Sequence, residues 1–504
     1  MTHPTQSSVL SPQHLVLFAI LSAAAFIRFH GIDTNSLWTD EFYSLEFSCG
    51  HGGTADTLPH NSVFNAIAPT HLQYARPIPQ IASAMELDTH PPLYPIVLRF
   101  WREIFGEDAV AGRSLSAIFS IVAVLMLFLT VRLLNGTSAA LWSAALITVA
   151  AAQVQFAQLI RSYAMWLALV LACCWIIARI EKLGASRGNF IAFGLLSFCA
   201  MLTHYYAAPP LAAVALYGLI RFQKRDRKWL AITCVIAAAA WGIVWGPFFW
   251  RQIPNFSTNM GWVLENPAGH IGRSFARAAQ MPANYLVPSR PSDQAITYVS
   301  AILYFIPIFF IRKKPQILLW WLILIFSVGF VLATDLKQSS QMLTELRYTT
   351  LASAATCALL ILLLLNPRGG WWHALPATVV IAVLISISPA YDNMRPDFRG
   401  MGNYLAAGIT KNDALVIIPP ANDFWMADTY YLASTNYLDA LPSRVVVLTN
   451  PATPEILAEL KKSDQVWIIA GNANPPDQML PGCKLIESRA FPFFAIVQHV
   501  SIKD

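Results

Sequence analysis

Long apolar runs, broken by short polar turns, dominate the chain and set its architecture. A helix needs about 20 apolar residues to cross the hydrocarbon core of a bilayer. Such runs recur at roughly 12–29, 113–134, 138–157, 160–179, 189–205, 207–222, 229–250, 295–311, 316–334, 346–365 and 371–389. They predict about eleven transmembrane helices. The third and fourth runs are nearly continuous and divide at Gln158-Leu159-Ile160-Arg161. No basic stretch precedes the first run, which argues for a retained span over a cleaved signal peptide.

Three longer polar segments interrupt this pattern: 31–112, 251–294 and the tail from about 391. Within the first, LYPIVLRFWREIF (93–105) is too short to span. Arg99, Arg102 and Glu103 share one helical face there and aromatics line the other, so the segment reads as an interfacial helix. In the tail, DALVIIPP, RVVVL and QVWIIAG read as buried strands, and RGMGNYLAAGI and PEILAELKK as amphipathic helices. Two domains are therefore expected. Residues 1–390 form a transmembrane domain with 31–112 as its first outer loop, and residues 391–504 form a small α/β domain.

Composition agrees with a membrane protein. Of 504 residues, 12% are charged, against about 25% in a soluble domain. The net charge of +6 is read first as topology. With the N-terminus in the cytoplasm, the inner loops hold Arg132, Arg179, Lys182, Arg187, Arg221, Lys224, Arg225, Arg227, Lys228, Arg312, Lys313, Lys314 and Arg368. The short outer loops hold Arg161, Lys337 and Arg347. The positive-inside rule then places the first two polar segments and the tail outside. Arg28, at the outer end of the first span, runs against that rule. Basic residues confined to short turns, with no nucleic-acid motif, exclude a nucleic-acid partner. Of seven cysteines, Cys49 and Cys483 lie outside the apolar runs, and a disulfide between them is left open.

Acids, histidines, tyrosines and arginines gather at the outer ends of the spans. These are Asp40-Glu41 after the first, His90-Pro91-Pro92 before the interfacial segment, Arg161-Ser162-Tyr163, His204-Tyr205-Tyr206 and Glu345-Leu346-Arg347-Tyr348. Charges near membrane depth are costly and mark function. A carboxylate can take a proton from an incoming hydroxyl or amine. Arginines hold and neutralise a phosphate. Together these suit group transfer from a lipid-linked phosphate. Each block also has a plainer reading: a solvated loop for Asp40-Glu41, a helix cap for His90, an interfacial anchor for Arg161, a local salt bridge to Glu345 for Arg347, a helix-end hydrogen bond for His204. His51, His60, His71 and His90 lack metal-ligand spacing. A transporter for a lipid-linked sugar would instead carry midplane charges or inverted repeats. A non-catalytic scaffold would tolerate loss of Asp40 but not of the tail.

The order of five blocks resembles the GT-C membrane glycosyltransferases: Asp-Glu, then THPPLYPIVLRFWREIFGEDAVAGRSLSAIFS, QLIRSYAM, THYY and LRYTT. It is nearest to the bacterial branch related to protein O-mannosyltransferases and to the aminoarabinose transferases of lipid A. The resemblance spans about residues 10–365. It implies a multi-pass protein of the bacterial inner membrane with an extracytoplasmic active site, and inverting transfer from a polyprenyl monophosphate sugar to a glycan, lipid or protein acceptor. By the resemblance, Asp40 is the catalytic base and Glu41 orients the acceptor or Asp40. His90, Arg161, Tyr163, His204, Arg347 and Tyr348 are assigned to the donor phosphate or substrate. No cofactor or metal is required, and a divalent ion is the less favoured variant. Aminoarabinose transferases carry more spans and Lys before the Pro-Pro pair, so their substrate is not carried over.

Overall fold

The computed structural model describes residues 11–53, 57–259, 261–264, 268–287, 294–365, 373–387, 395–420, 426–471, 476–491 and 495–502. Arg368 lies outside them, as do the first residues of the tail. The chain divides into two compact units: Met1–Ile32 with Arg113–Asp392, and Asp33–Gly112 with Asn393–Asp504. Sequence reading joined the first outer loop to the transmembrane part and set the tail apart. The structure groups that loop with the tail.

The helical unit carries a helix on each of the eleven apolar runs. Six helices are long and apolar enough to cross a membrane, and a seventh crossing arises if a bent pair counts as one. That pair is Thr137–Val149 and Ala151–Ala157, bent by 62°. Arg187–Thr203, Thr297–Phe310 and Ala374–Ile385 are apolar but shorter. Segment 251–294, taken from its sequence as an outer loop, contains most of helix Gly246–Asn259 and all of helix His270–Leu286. Met281 and Tyr285 of the latter are buried. Its scattered polar residues hid this, because only one stripe of the helix is apolar.

The bend explains Arg28. A helix break frees backbone carbonyls that the low-dielectric interior cannot solvate. Arg28 is fully buried. Its Nη1 donates to the Thr148 carbonyl at 3.1 Å and its Nε to Ser120 Oγ at 2.7 Å. In return, Gln158 Nε2 donates to the Arg28 and His30 carbonyls at 3.2 and 2.7 Å. The broken end at Thr148 and the end of the first helix are each met by a buried polar side chain. Arg28 is thus held as a cap for a broken helix, which is why it escapes the topology rule.

The mixed unit is built on a six-stranded sheet. Its strands are β1 (Val63–Phe64), β2 (Ala414–Ile418), β3 (Arg444–Val447), β4 (Val466–Ala470), β5 (Cys483–Phe491) and β6 (Ala495–Ile502), in the order β1-β3-β2-β4-β6-β5. β2 pairs parallel with β3 and β4, and the other pairings are antiparallel. β2 and β4 are buried along their whole length, as parallel strands covered on both faces must be. The three strands read from the tail sequence are β2, β3 and β4, and the two helices are Phe398–Ala406 and Pro454–Leu460. Helix Met426–Tyr437 and the β5–β6 hairpin were not anticipated. The outer loop supplies β1. Asn61, at φ +52°, turns the chain into it, and its Oδ1 accepts the Thr449 and Asn450 amides at 3.0 and 3.1 Å.

In the same unit, helix Leu93–Phe105 forms as expected; of its polar face Arg102 is turned inward, while Glu103 is exposed. Arg102 is buried, its Nη2 donating to the Thr70 carbonyl at 2.6 Å and its Nη1 to Ser48 Oγ at 2.7 Å. Phe100, Ile104 and Phe105 are exposed. Cys49 and Cys483 are both free thiols, so they form no disulfide. Burial pushes the Cys49 thiol up, against the pull of Arg102.

Candidate active site

In the mixed unit, Asp40 and Glu41 lie in the first turn of helix Thr39–Ser48. Acidic side chains are favoured there by the partial positive charge of the helix N-terminus. Glu41, the third helical residue, reaches back so that the Trp38 amide donates to its Oε2 at 2.9 Å. Arg395 Nη1 meets the same oxygen at 3.2 Å. Glu41 is fully buried, while Asp40 beside it is partly exposed. Gly50, at φ +72°, ends the helix in a left-handed turn that strains other residues, and a Cβ there would stand a tight 3.1 Å from that of Arg76. Two residues past Asp40-Glu41, the Tyr43 hydroxyl donates to Asp428, itself buried. Burial, reinforced by Asp428, holds the Tyr43 phenol well above its ordinary range, so it stays a donor.

His90 also belongs to the mixed unit. Its Nδ1 lies 2.9 Å from Asp88 Oδ2, in the turn that leads through Pro91 and Pro92 into helix Leu93–Phe105. The helix-cap position is Pro92. A carboxylate on one ring nitrogen fixes the ring's orientation.

The remaining five candidates lie in the helical unit and adjoin one another. The Arg161 guanidinium sits 5.6 Å from the Tyr163 ring. Tyr163 adjoins His204 at 6.0 Å. His204 stacks on Trp166 and lies 5.6 Å from Tyr206. Tyr206 lies 4.9 Å from Tyr348, whose ring carries the Arg347 guanidinium at 5.4 Å. An arginine thus stands at each end of a run of aromatic rings. Such faces attract cations and hold them in place. Arg347 Nε is also 3.5 Å from Glu345 Oε2, so the local salt bridge exists alongside the aromatic contact.

Sequence reading named Tyr206 within the His204-Tyr205-Tyr206 block without assigning it a role, and missed Asp335 and Tyr285. Tyr206 joins its halves, whereas the neighbouring Tyr205 turns away to accept from Trp245 Nε1 at 2.7 Å. Buried Asp335 ends helix Ile317–Gln338 and shapes the turn before Arg347. It accepts from Ser340 Oγ at 2.6 Å and from the Met342 and Leu343 amides at 2.8 and 3.1 Å. Tyr285 holds Thr349 at 2.7 Å from the unanticipated helix. A lone acid directly after the apolar run 316–334 was the available signal for Asp335. Arg395 and Asp428 gave none, lying hundreds of residues from the acid pair. Among the described residues, no group of three His, Cys, Asp or Glu side chains is placed to hold a metal ion.

Residues 89–245 match the family model described as dolichyl-phosphate-mannose-protein mannosyltransferase. That stretch includes His90, Arg161, Tyr163 and His204. A comparison with curated protein sequences gives no match. By structure, the chain is similar to ArnT from Cupriavidus metallidurans in its apo state, at TM-score 0.56 and 12% identity, covering 96% of this chain and 97% of that one. The undecaprenyl phosphate-bound form of that protein gives 0.53 and 13%, with the same coverage. The apo oligosaccharyltransferase from Archaeoglobus fulgidus gives 0.50 and 11%, over 91% of this chain and 69% of that one. The chain is thus similar to the mannosyltransferase family over residues 89–245, and to ArnT in fold over nearly its whole length.

Proposed function

We propose that the protein is a multi-pass membrane glycosyltransferase that moves a sugar from a polyprenyl monophosphate to an envelope acceptor on the extracytoplasmic face. Asp40 takes the proton of an acceptor hydroxyl or amine. The acceptor's lone pair forms a bond to the anomeric carbon, the bond from that carbon to the phosphate oxygen breaks with inversion, and polyprenyl phosphate departs with the electron pair. Arg161 and Arg347 stabilise the charge that builds on the leaving phosphate. Tyr163, His204 and Tyr348 keep those arginines in place, and His90 adds a donor to the phosphate. Glu41, turned into the protein, acts on the orientation of Asp40.

One observation carries the reading. Arg161 and Arg347, chosen from two separate sequence blocks, flank one continuous aromatic run. Undecaprenyl phosphate bound to the structurally similar ArnT supports a lipid-linked donor. Eleven crossings, a cytoplasmic N-terminus and a bacterial inner-membrane location complete the proposal, supported by the loop charges. The acceptor is a lipid, a polysaccharide or a protein.

The test is release of free polyprenyl phosphate, followed by mass spectrometry. Purified protein receives a panel of polyprenyl-phosphate sugars and an envelope fraction as acceptor. Release from one donor, dependent on acceptor, is expected. No release from any donor with folded protein would move the account to a transporter or scaffold.

A further inference from the structure

The approach to the acid-bearing helix Thr39–Ser48 and its first half are held by residues of the tail. Ahead of it, the Arg399 guanidinium forks onto Asp33, with Nη2 at 2.7 Å and Nη1 at 3.4 Å from the two carboxylate oxygens. Ser36 Oγ donates to Asp397 Oδ1 at 3.1 Å and accepts the Arg399 amide at 3.2 Å. In the first turn, Arg395 meets Glu41. In the next, the Phe42 ring sits edge-on to Phe398 at 5.7 Å and to Tyr437 at 6.4 Å. Tyr43 donates to Asp428. All these residues lie in one compact unit.

We infer that segment 395–399 of the tail belongs to the catalytic machinery, with Arg395 a positioning residue that sets Asp40 through Glu41. The inference rests on Asp40 being the base. A carboxylate buried as fully as Glu41 stays ionised and fixed only when opposed by charge and hydrogen bonds. Arg395 supplies the charge and the Trp38 amide a hydrogen bond. Both act on one oxygen of a side chain whose backbone adjoins that of Asp40. Without Arg395, Glu41 Oε2 loses its guanidinium contact, and the first helical turn loses its fixed geometry. Asp40 then no longer meets the acceptor's proton at bonding distance. Displacement of a reacting group by about 1 Å costs on the order of 100-fold in rate. The donor contacts assigned to Arg161 and Arg347, which lie in the other unit, are left alone.

Four forms of the full-length enzyme test this: wild type, Arg395→Gln, Arg395→Lys, and Arg395→Gln combined with Glu41→Gln. Expected for Arg395→Gln is a fall in kcat of about 100-fold with the donor KM within about 2-fold of wild type. Arg395→Lys recovers part of the loss, because it restores the charge but not the planar fork. The double variant is no slower than Arg395→Gln, since both residues act as one unit. Hydrogen exchange of amides 39–48 speeds up in Arg395→Gln, a readout independent of activity. Unchanged kcat with unchanged exchange would overturn the inference. So would a raised donor KM at constant kcat, which would make Arg395 a donor ligand. If Asp40→Asn proves as active as wild type while exchange still quickens in Arg395→Gln, the clamp stands as structure and the base assignment fails.

Discussion

The two units hold their candidate residues in opposite ways. In the helical unit, the arginines and rings lie at the starts and ends of apolar helices, and neighbours in space come from short sequence blocks. Arg161 and Tyr163 are two residues apart, as are His204 and Tyr206, while Arg347 and Tyr348 are adjacent. In the mixed unit, the acid pair is fixed by Arg395 and its neighbours, over 350 residues away. A membrane helix presents its polar groups where it leaves the lipid, so position along the run gives position in space. A sheet domain assembles across long connections, and its contacts carry no such ruler.

Predictions follow this difference. The largest effect concerns the aromatic run. Arg161→Ala and Arg347→Ala should each lower transfer by about 100-fold, the scale of losing a charge-stabilising donor. Single-turnover kinetics with a lipid-linked donor would show it. Equal loss from Arg347→Lys would sharpen the account toward the planar fork. Full activity in either alanine variant would break the link between the run and the phosphate.

Arg28→Ala tests the helical unit as a frame. It leaves the Thr148 carbonyl and Ser120 without their donor in a buried site, at a cost of about 3 kcal/mol. Thermal unfolding in detergent should shift down accordingly, with the mixed unit's strand signals unaffected until that transition. A smaller loss is expected from Asn61→Ala in the mixed unit. It removes acceptors for two amides and places a non-glycine, non-asparagine residue at positive φ, for about 1–2 kcal/mol. Limited proteolysis near residue 61 reads this out. Unchanged cleavage would mean that β1 adds nothing to the sheet.

The smallest effect is a pH dependence. Burial lowers the His51 pKa below its ordinary 6.5. Its Nε2 donates to the Tyr74 carbonyl at 2.8 Å. A buried neutral histidine binds fewer protons folded than unfolded. Its contribution is therefore present above about 6.5 and is lost as pH falls below that value. His51→Gln should flatten the acid limb of the mixed unit's stability curve, measured by urea unfolding between pH 7 and about 5.

Much of this was legible in the sequence. Apolar runs gave the helices, because lipid demands them without interruption. β2, β3 and β4 were legible as short apolar runs between turns. Helix His270–Leu286 was not, because its polar face masks its period. β5 escaped because it is exposed along most of its length and reads as polar. The site residues of the helical unit were found by their place at helix ends. Tyr206 was given no role because two adjacent tyrosines look alike in a sequence and face opposite ways in a helix turn. The inward turn of Glu41 was invisible, since only its distant partner Arg395 shows which of the two acids is buried.

The most direct measurement compares wild type with Asp40→Asn, with the accepted donor and acceptor. The account predicts that release of polyprenyl phosphate falls by at least about 100-fold, the range for losing a general base. Donor binding by the variant and its unfolding temperature stay near wild type. Equal turnover by Asp40→Asn would contradict the account and leave the first turn of helix Thr39–Ser48 as structure alone.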